Sequence, residues 1–196
     1  MTSRGLDVVV QFSPTRTVPS WLNITSIEYD DGRARTPPQD PAERARFIQH
    51  CMFYVNFTVD YFNAKPYAAR IEYCLDDEPH SADWADVFMT MHASIKTKLP
   101  AAIVSLVLHK PELYPVFKNS FDMITIDPYN DGYEMVQKIQ KAHADVNNAK
   151  PVRVIVSGMH DDEFDYQRIY RQLVISWFTW TIPYRTRRML RQRPRP

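Results

Sequence analysis

The fold is decided between Ala69 and His143, in ARIEYC (69–74), PHSADWADVFMTMHASIKTKLP (79–100), AAIVSLVLHKPELYPVF (101–117) and FDMITIDPYNDGYEMVQKIQKAH (121–143). Trp84, Val87, Phe88, Met91 and Ile95 recur every three or four residues, the period of a helix with one apolar face. Ser81 is a cap residue for a helix over 82–98, and Leu99-Pro100 ends it. Ala102 to Leu108 and Phe121 to Ile126 are short runs rich in β-branched residues and predict strands, and Ala69 to Leu75 predicts another after the break at Pro66. Pro111 to Phe117 predicts a short helical turn presenting Leu113, Tyr114 and Phe117. Tyr133 to Ala144 predicts a helix through Met135, Val136 and Ile139. Strands alternating with helices in the order β-α-β-α-β-α place the chain in the α/β class.

Outward from this segment, Leu6 to Phe12 is a short β-branched strand pattern. Ser13 to Gln39 is rich in charge and proline (14, 19, 37 and 38) and predicts an extended arm. Trp21, Leu22, Ile24, Ile27 and Tyr29 make that arm apolar enough to lie on another surface, which a solvated linker does not require. Asp40-Pro41-Ala42-Glu43 is a strong helix start: an acceptor at the cap, proline at the first position and glutamate three residues past the cap. The helix is expected to reach about Phe62. Its apolar set, Phe47, Ile48, Cys51, Met52, Tyr54, Val55 and Phe57, exceeds one stripe and predicts burial on two sides. Beyond a loop near 147–150, Val152 to Val156 predicts a strand and Asp161 or Asp162 a helix start. The apolar LVISWFTWTIPY (173–184) follows, then an arginine-rich end. The expected organisation is an N-terminal strand, arm and helix over 1–68, a core over 69–146, and a C-terminal extension over 147–196.

The chain has 196 residues, 44% hydrophobic, with a net charge of +1, enough to bury one core but not a general polyanion binder. Positive charge is concentrated at the end, where Arg185 to Pro196 hold six arginines and no acid. Only four glycines occur, at 5, 32, 132 and 158, which excludes GxGxxG and GxxxxGK phosphate loops. No run of about 20 apolar residues is present, and MTSRGLDVVVQF is neither a signal-peptide core nor an Arg/Ser-rich presequence.

Cys51 and Cys74 form no CxxC, so no zinc site or dense disulfide framework is indicated, and a reducing compartment is expected. The pair reads either as a disulfide or redox switch, or as two buried thiols packed as small apolar groups. Asp76-Asp77-Glu78 with His80 reads either as a metal site or as solvated loop carboxylates. His109, His143 and His160 are scattered, and His92 and Ser94 are two apart on a helix, so no Ser/His/Asp constellation stands out.

Several of these residues together resemble a known family. Ile71-Glu72-Tyr73-Cys74, then Pro79 and Ser81 before a helix bearing Phe88, Leu99-Pro100 before an apolar strand, and Pro111-x-Leu113-Tyr114-x-x-Phe117 are similar to the thioredoxin-like family of mitochondrial complex subunits. That family includes a small matrix-arm accessory subunit of NADH:ubiquinone oxidoreductase (complex I) and two mitochondrial ribosomal proteins. The likeness spans 69–143, and the Pro-x-Leu-aromatic turn and strand-ending cysteine look more like the complex I subunit. It implies a thioredoxin-like core (β-α-β-α-β-α) with an N-terminal arm and helix and a C-terminal helical, Arg-rich extension. A second cysteine found in some members near the end of the second strand is replaced here by Leu108-His109.

A thioredoxin-type enzyme needs a low-pKa thiolate at a helix N-terminus and a resolving thiol two residues on. Cys74 is followed instead by three carboxylates, which raise a thiol pKa. The resemblance therefore implies a non-catalytic structural accessory subunit of a mitochondrial inner-membrane respiratory complex, most specifically complex I, on the matrix side. It implies no cofactor, catalytic residue or metal, and larger protein subunits as partners. The alternatives are a mitochondrial ribosomal protein binding rRNA, or an accessory subunit of another inner-membrane complex such as ATP synthase. The expected partner-binding residues are Trp21 and Ile24 in the arm and Trp177, Phe178, Trp180, Tyr184, Arg185, Arg187, Arg188 and Arg191 in the tail. Such a tail suits an anionic lipid surface, a protein groove, or RNA.

Overall fold

The computed structural model describes residues 8–16, 18–30, 32–127, 133–146 and 149–154. Five strands form one sheet: β1 (Val8–Gln11), β4 (Ile71–Asp77), β5 (Ile103–Leu108), β6 (Met123–Ile126) and β7 (Val152–Val154). They lie in sequential order, β1-β4-β5-β6-β7, and every neighbouring pair is parallel. Two further strands, β2 (Tyr29–Asp30) and β3 (Arg33–Ala34), pair as a small antiparallel hairpin within the arm, turned through Gly32 at φ +72°.

Sequential parallel strands need a crossover at every step, and crossovers are right-handed. Steps in one direction therefore lay all the crossing helices on one face. The sequence obeys this by alternation. Ile71, Tyr73 and Leu75 of β4, Val104, Leu106 and Leu108 of β5, and Ile124 and Ile126 of β6 join one core with the helices. Glu72, Cys74, Ser105 and Thr125 alternate with them and make the opposite face polar.

Four helices supply the other half of the core: α1 (Pro41–Asn63), α2 (Ala85–Lys98), the single turn α3 (Tyr114–Phe117) and α4 (Tyr133–Asp145). Asp40 caps α1 by accepting a hydrogen bond from the Glu43 amide at 2.8 Å, with Pro41 at the first position, as the sequence predicts. The Glu43 carboxylate does not turn back to complete a reciprocal cap. It accepts hydrogen bonds from Thr25 and Ser26 of the arm, which hold its pKa down to about 2, with the Ser26 hydroxyl the largest cause. Ser81 accepts from the Asp83 amide, and the helix it opens begins with a 3-10 turn over Ala82–Trp84. Trp84 is wholly buried between Phe47 and Phe88, and its indole N–H donates to the Arg35 carbonyl at 3.3 Å, tying the arm to α2.

Two expectations change. Among the described residues the predicted two-sided burial of the first helix does not occur. Phe47, Cys51, Val55, Thr58 and Val59 face the core, but Phe53, Tyr54, Phe57 and Tyr61 are 69%, 50%, 63% and 52% exposed. With one helical layer on the sheet, α1 has a neighbour beneath it and none among the described residues above it. The arm folds on its own domain rather than reaching away. Leu22 and Ala34 are buried, Ile24 and Ile27 pack against the core, and the Ala34 amide bonds the Thr15 carbonyl at 2.7 Å. The sheet also runs past the 69–146 segment on both sides, through β1 and β7.

Candidate functional site

Ligand sites in parallel sheets gather where the strands end at their carboxyl side. Here β1 runs on into Thr15 and Arg16, β4 into Glu78 and His80, and β5 into His109 and Lys110. The register of β4 against β5 slips between Cys74 and Asp77, and Glu78 follows at φ +63°, a left-handed conformation uncommon for a residue with a side chain. This kink lets three consecutive acids find separate partners. Asp76 accepts from the Thr15 amide (3.1 Å) and hydroxyl (2.9 Å). Asp77 pairs with Arg16 at 2.7 Å, and Glu78 with Arg33 at 3.3 Å. The Arg33 guanidinium also donates to the Asp77 and Glu78 carbonyls, at 2.8 and 3.1 Å.

The acidic run is thus neither a solvated loop nor, among the described residues, part of a group of three or more side chains placed to hold a metal. It is the clasp for the arm. Burial pushes the Asp76 carboxyl up to about 7 despite the hydrogen bonds it accepts. His80 and His109, ring centroids 6.0 Å apart, are both held below the ordinary histidine pKa, first by burial and then by nearby Lys110.

Both cysteines are free and buried. Burial is the largest cause pushing each thiol up to about 12, with Asp76 adding repulsion to both. The sequence attributes the raised Cys74 pKa to the carboxylates after it; desolvation outweighs them. Cys74 also donates to the Asp76 carbonyl at 3.3 Å, so its position favours the neutral thiol. A thiolate nucleophile needs the opposite surroundings.

On the polar face of the sheet, Arg153 of β7 reaches over β6 and β5 to Glu72 of β4 in a two-toothed pair at 3.0 and 2.7 Å, and Ser105 donates to the same carboxylate. The pair joins residues 81 apart in sequence. No local pattern announces it, because each partner's strand is ordinary by itself.

The outer face of α1 carries four large exposed aromatic side chains, Phe53, Tyr54, Phe57 and Tyr61. Phe53, Phe57 and Tyr61 are spaced four residues apart and so align along the helix, with Tyr54 beside them. Trp21, 71% exposed, meets the His50 ring edge-on at 5.0 Å. Between the arm and α1 a cavity of about 310 Å³ opens, lined among others by Phe12, Trp21, His50, Cys51, Tyr54 and Met91. Of the predicted partner residues, Trp21 stands on this surface and Ile24 is half-buried against the core. Trp177, Phe178, Trp180, Tyr184, Arg185, Arg187, Arg188 and Arg191 lie outside the described residues. Sequence reading missed the stripe because apolar residues occupy both faces of α1; that excess width was its one signal.

No protein-family model matches this chain, and no curated protein matches it significantly. Among the described residues no helix is long and apolar enough to cross a membrane.

Proposed function

We propose that this chain is a non-catalytic structural subunit of a larger assembly, with the complex I matrix arm as the host named by the sequence resemblance. The observation that carries the reading is the outer face of α1. Four aromatic side chains half or more exposed on one helix, beside an exposed tryptophan and an apolar cavity, have the character of a docking surface and support this reading. The thiols support the same reading, since both are buried and held protonated. So do Asp76, Asp77 and Glu78 at the carboxyl end of β4, which hold the arm.

The finer reading of the core as thioredoxin-like rests on the succession β-α-β-α-β-α between Ile71 and Asp145. It extends no further than that succession. The five strands are sequential and all parallel, whereas a thioredoxin sheet mixes strand directions. A location on the matrix side of the mitochondrial inner membrane, and larger subunits as partners, belong to the same proposal.

The test is fractionation of detergent-solubilised mitochondria on a native gel, with the chain located by mass spectrometry. Co-migration with complex I is expected. Migration with ribosomal subunits would move the chain to the rRNA-binding alternative, and migration as a free monomer would remove the subunit reading.

A further inference from the structure

We infer that the outer face of α1 docks an amphipathic helix from a neighbouring subunit, acidic at its ends, that seats one large apolar side chain in the cavity between α1 and the arm. This deepens the subunit reading above and rests on it.

Geometry sets the kind of partner. From Arg46 to Tyr61 the face is a straight ridge about 22 Å long at the helical rise of 1.5 Å per residue. Phe53, Phe57 and Tyr61 form one i, i+4, i+8 row along it, the type of ridge that fits the groove of a second helix. The cavity opens where Tyr54, His50 and Trp21 meet, so it flanks the ridge. At about 310 Å³ it is at the small end of ligand pockets, suited to one anchoring side chain. Cys51 and Met91 at its wall are apolar in character, the first because its thiol stays protonated.

Charge sets the partner's sign. The carboxylates beside the ridge are already engaged, Glu43 by Thr25 and Ser26, and Asp60 by Lys98 at 2.6 Å. Among the described residues the cations are not neutralised in this way. Arg46 is exposed at one end, and Lys65 at the other lies over the Tyr61 ring at 4.0 Å with no carboxylate partner among the described residues. A helix with acids near both ends and apolar residues between them complements this pattern, and an electrostatic match of that kind fixes register.

The experiment uses the full chain, expressed in cells whose own copy is deleted and read by native gel. Phe53→Ser/Phe57→Ser removes two well-exposed side chains and should leave folding intact while lowering the assembled fraction at least tenfold. Arg46→Glu/Lys65→Glu should lower it several-fold, and Met89→Ser, on the exposed side of α2, should not change it. A photo-crosslinking phenylalanine at position 57 should give protein adducts whose crosslinked peptide is a helix with acids near both ends. Adducts with a second copy of this chain, with its own residues 155–196, with lipid or with RNA would overturn the inference, as would normal assembly of the Phe53/Phe57 variant. If the wild-type chain enters no assembly, the subunit reading itself falls.

Discussion

Arg153 and Glu72 grip each other with two hydrogen bonds of 3.0 and 2.7 Å across the two strands that separate them on the polar face of the sheet. The Glu72 side chain is nearly buried while that of Arg153 is 45% exposed, so the pair is half in solvent. Removing the arginine leaves a buried carboxylate with Ser105 as its remaining described partner. Arg153→Ala should cost about 2 kcal/mol, below the full cost of breaking a buried pair because water reaches the arginine side. Urea unfolding would show it as a lower midpoint. Glu72→Gln in the Arg153→Ala background should recover part of the loss, since no charge is then stranded.

The Asp76 clasp predicts a pH dependence with a definite sign. Its folded pKa, raised to about 7 chiefly by burial, lies above the ordinary 3.8. The folded state therefore binds the proton more tightly, and stability from this group is full below about pH 4 and lost as pH rises through 7. The loss should be on the order of 4 kcal/mol across that window. Asp76→Asn, which titrates no group there, should flatten the unfolding free energy between pH 4 and 8. An unchanged slope in the variant would refute the assignment.

Thiol reactivity should report unfolding rather than chemistry. With Cys51 and Cys74 buried and their pKa values pushed up to about 12, little thiolate exists at pH 8 and little of either sulfur is reachable. Iodoacetamide labelling of the native protein should be at least about a hundredfold slower than in 8 M urea. Rapid native labelling of Cys74 would reopen the redox reading.

Asp122 offers a test at the opposite end of the strands. It accepts from Lys96 (3.0 Å) and the Val104 amide (3.0 Å), and lies 3.3 Å from the His92 ring nitrogen, joining α2 to β5. Burial alone would raise its pKa, but these hydrogen bonds outweigh it and hold the group below the usual carboxylate value. Its contribution is therefore present at neutral pH and lost as the solution is acidified through that lowered range. Asp122→Ala should cost about 1–2 kcal/mol at pH 7, from donors left without an acceptor, and less at pH 3. Thermal melts at the two pH values would measure the difference.

The sequence alone determined the succession of elements. The Asp40-Pro41 cap, the 3.6-residue period of Trp84 to Ile95, the turn at Pro111 and the β-branched runs at 103–108 and 123–126 are local signals. Each was legible because cap geometry and side-chain period act within a few residues. Only the tertiary structure decided what depends on which elements become neighbours. Helical period marks two apolar faces on α1 but cannot say which meets the sheet; single-sided crossovers gave one to the core and left Phe53, Phe57 and Tyr61 outside. The acids at 76–78 read as a solvated run until the arm was laid across them, and Glu72 gave no hint of Arg153, 81 residues away. Charges and exposed aromatics take their meaning from contacts distant in sequence, and those contacts form only when the chain closes on itself.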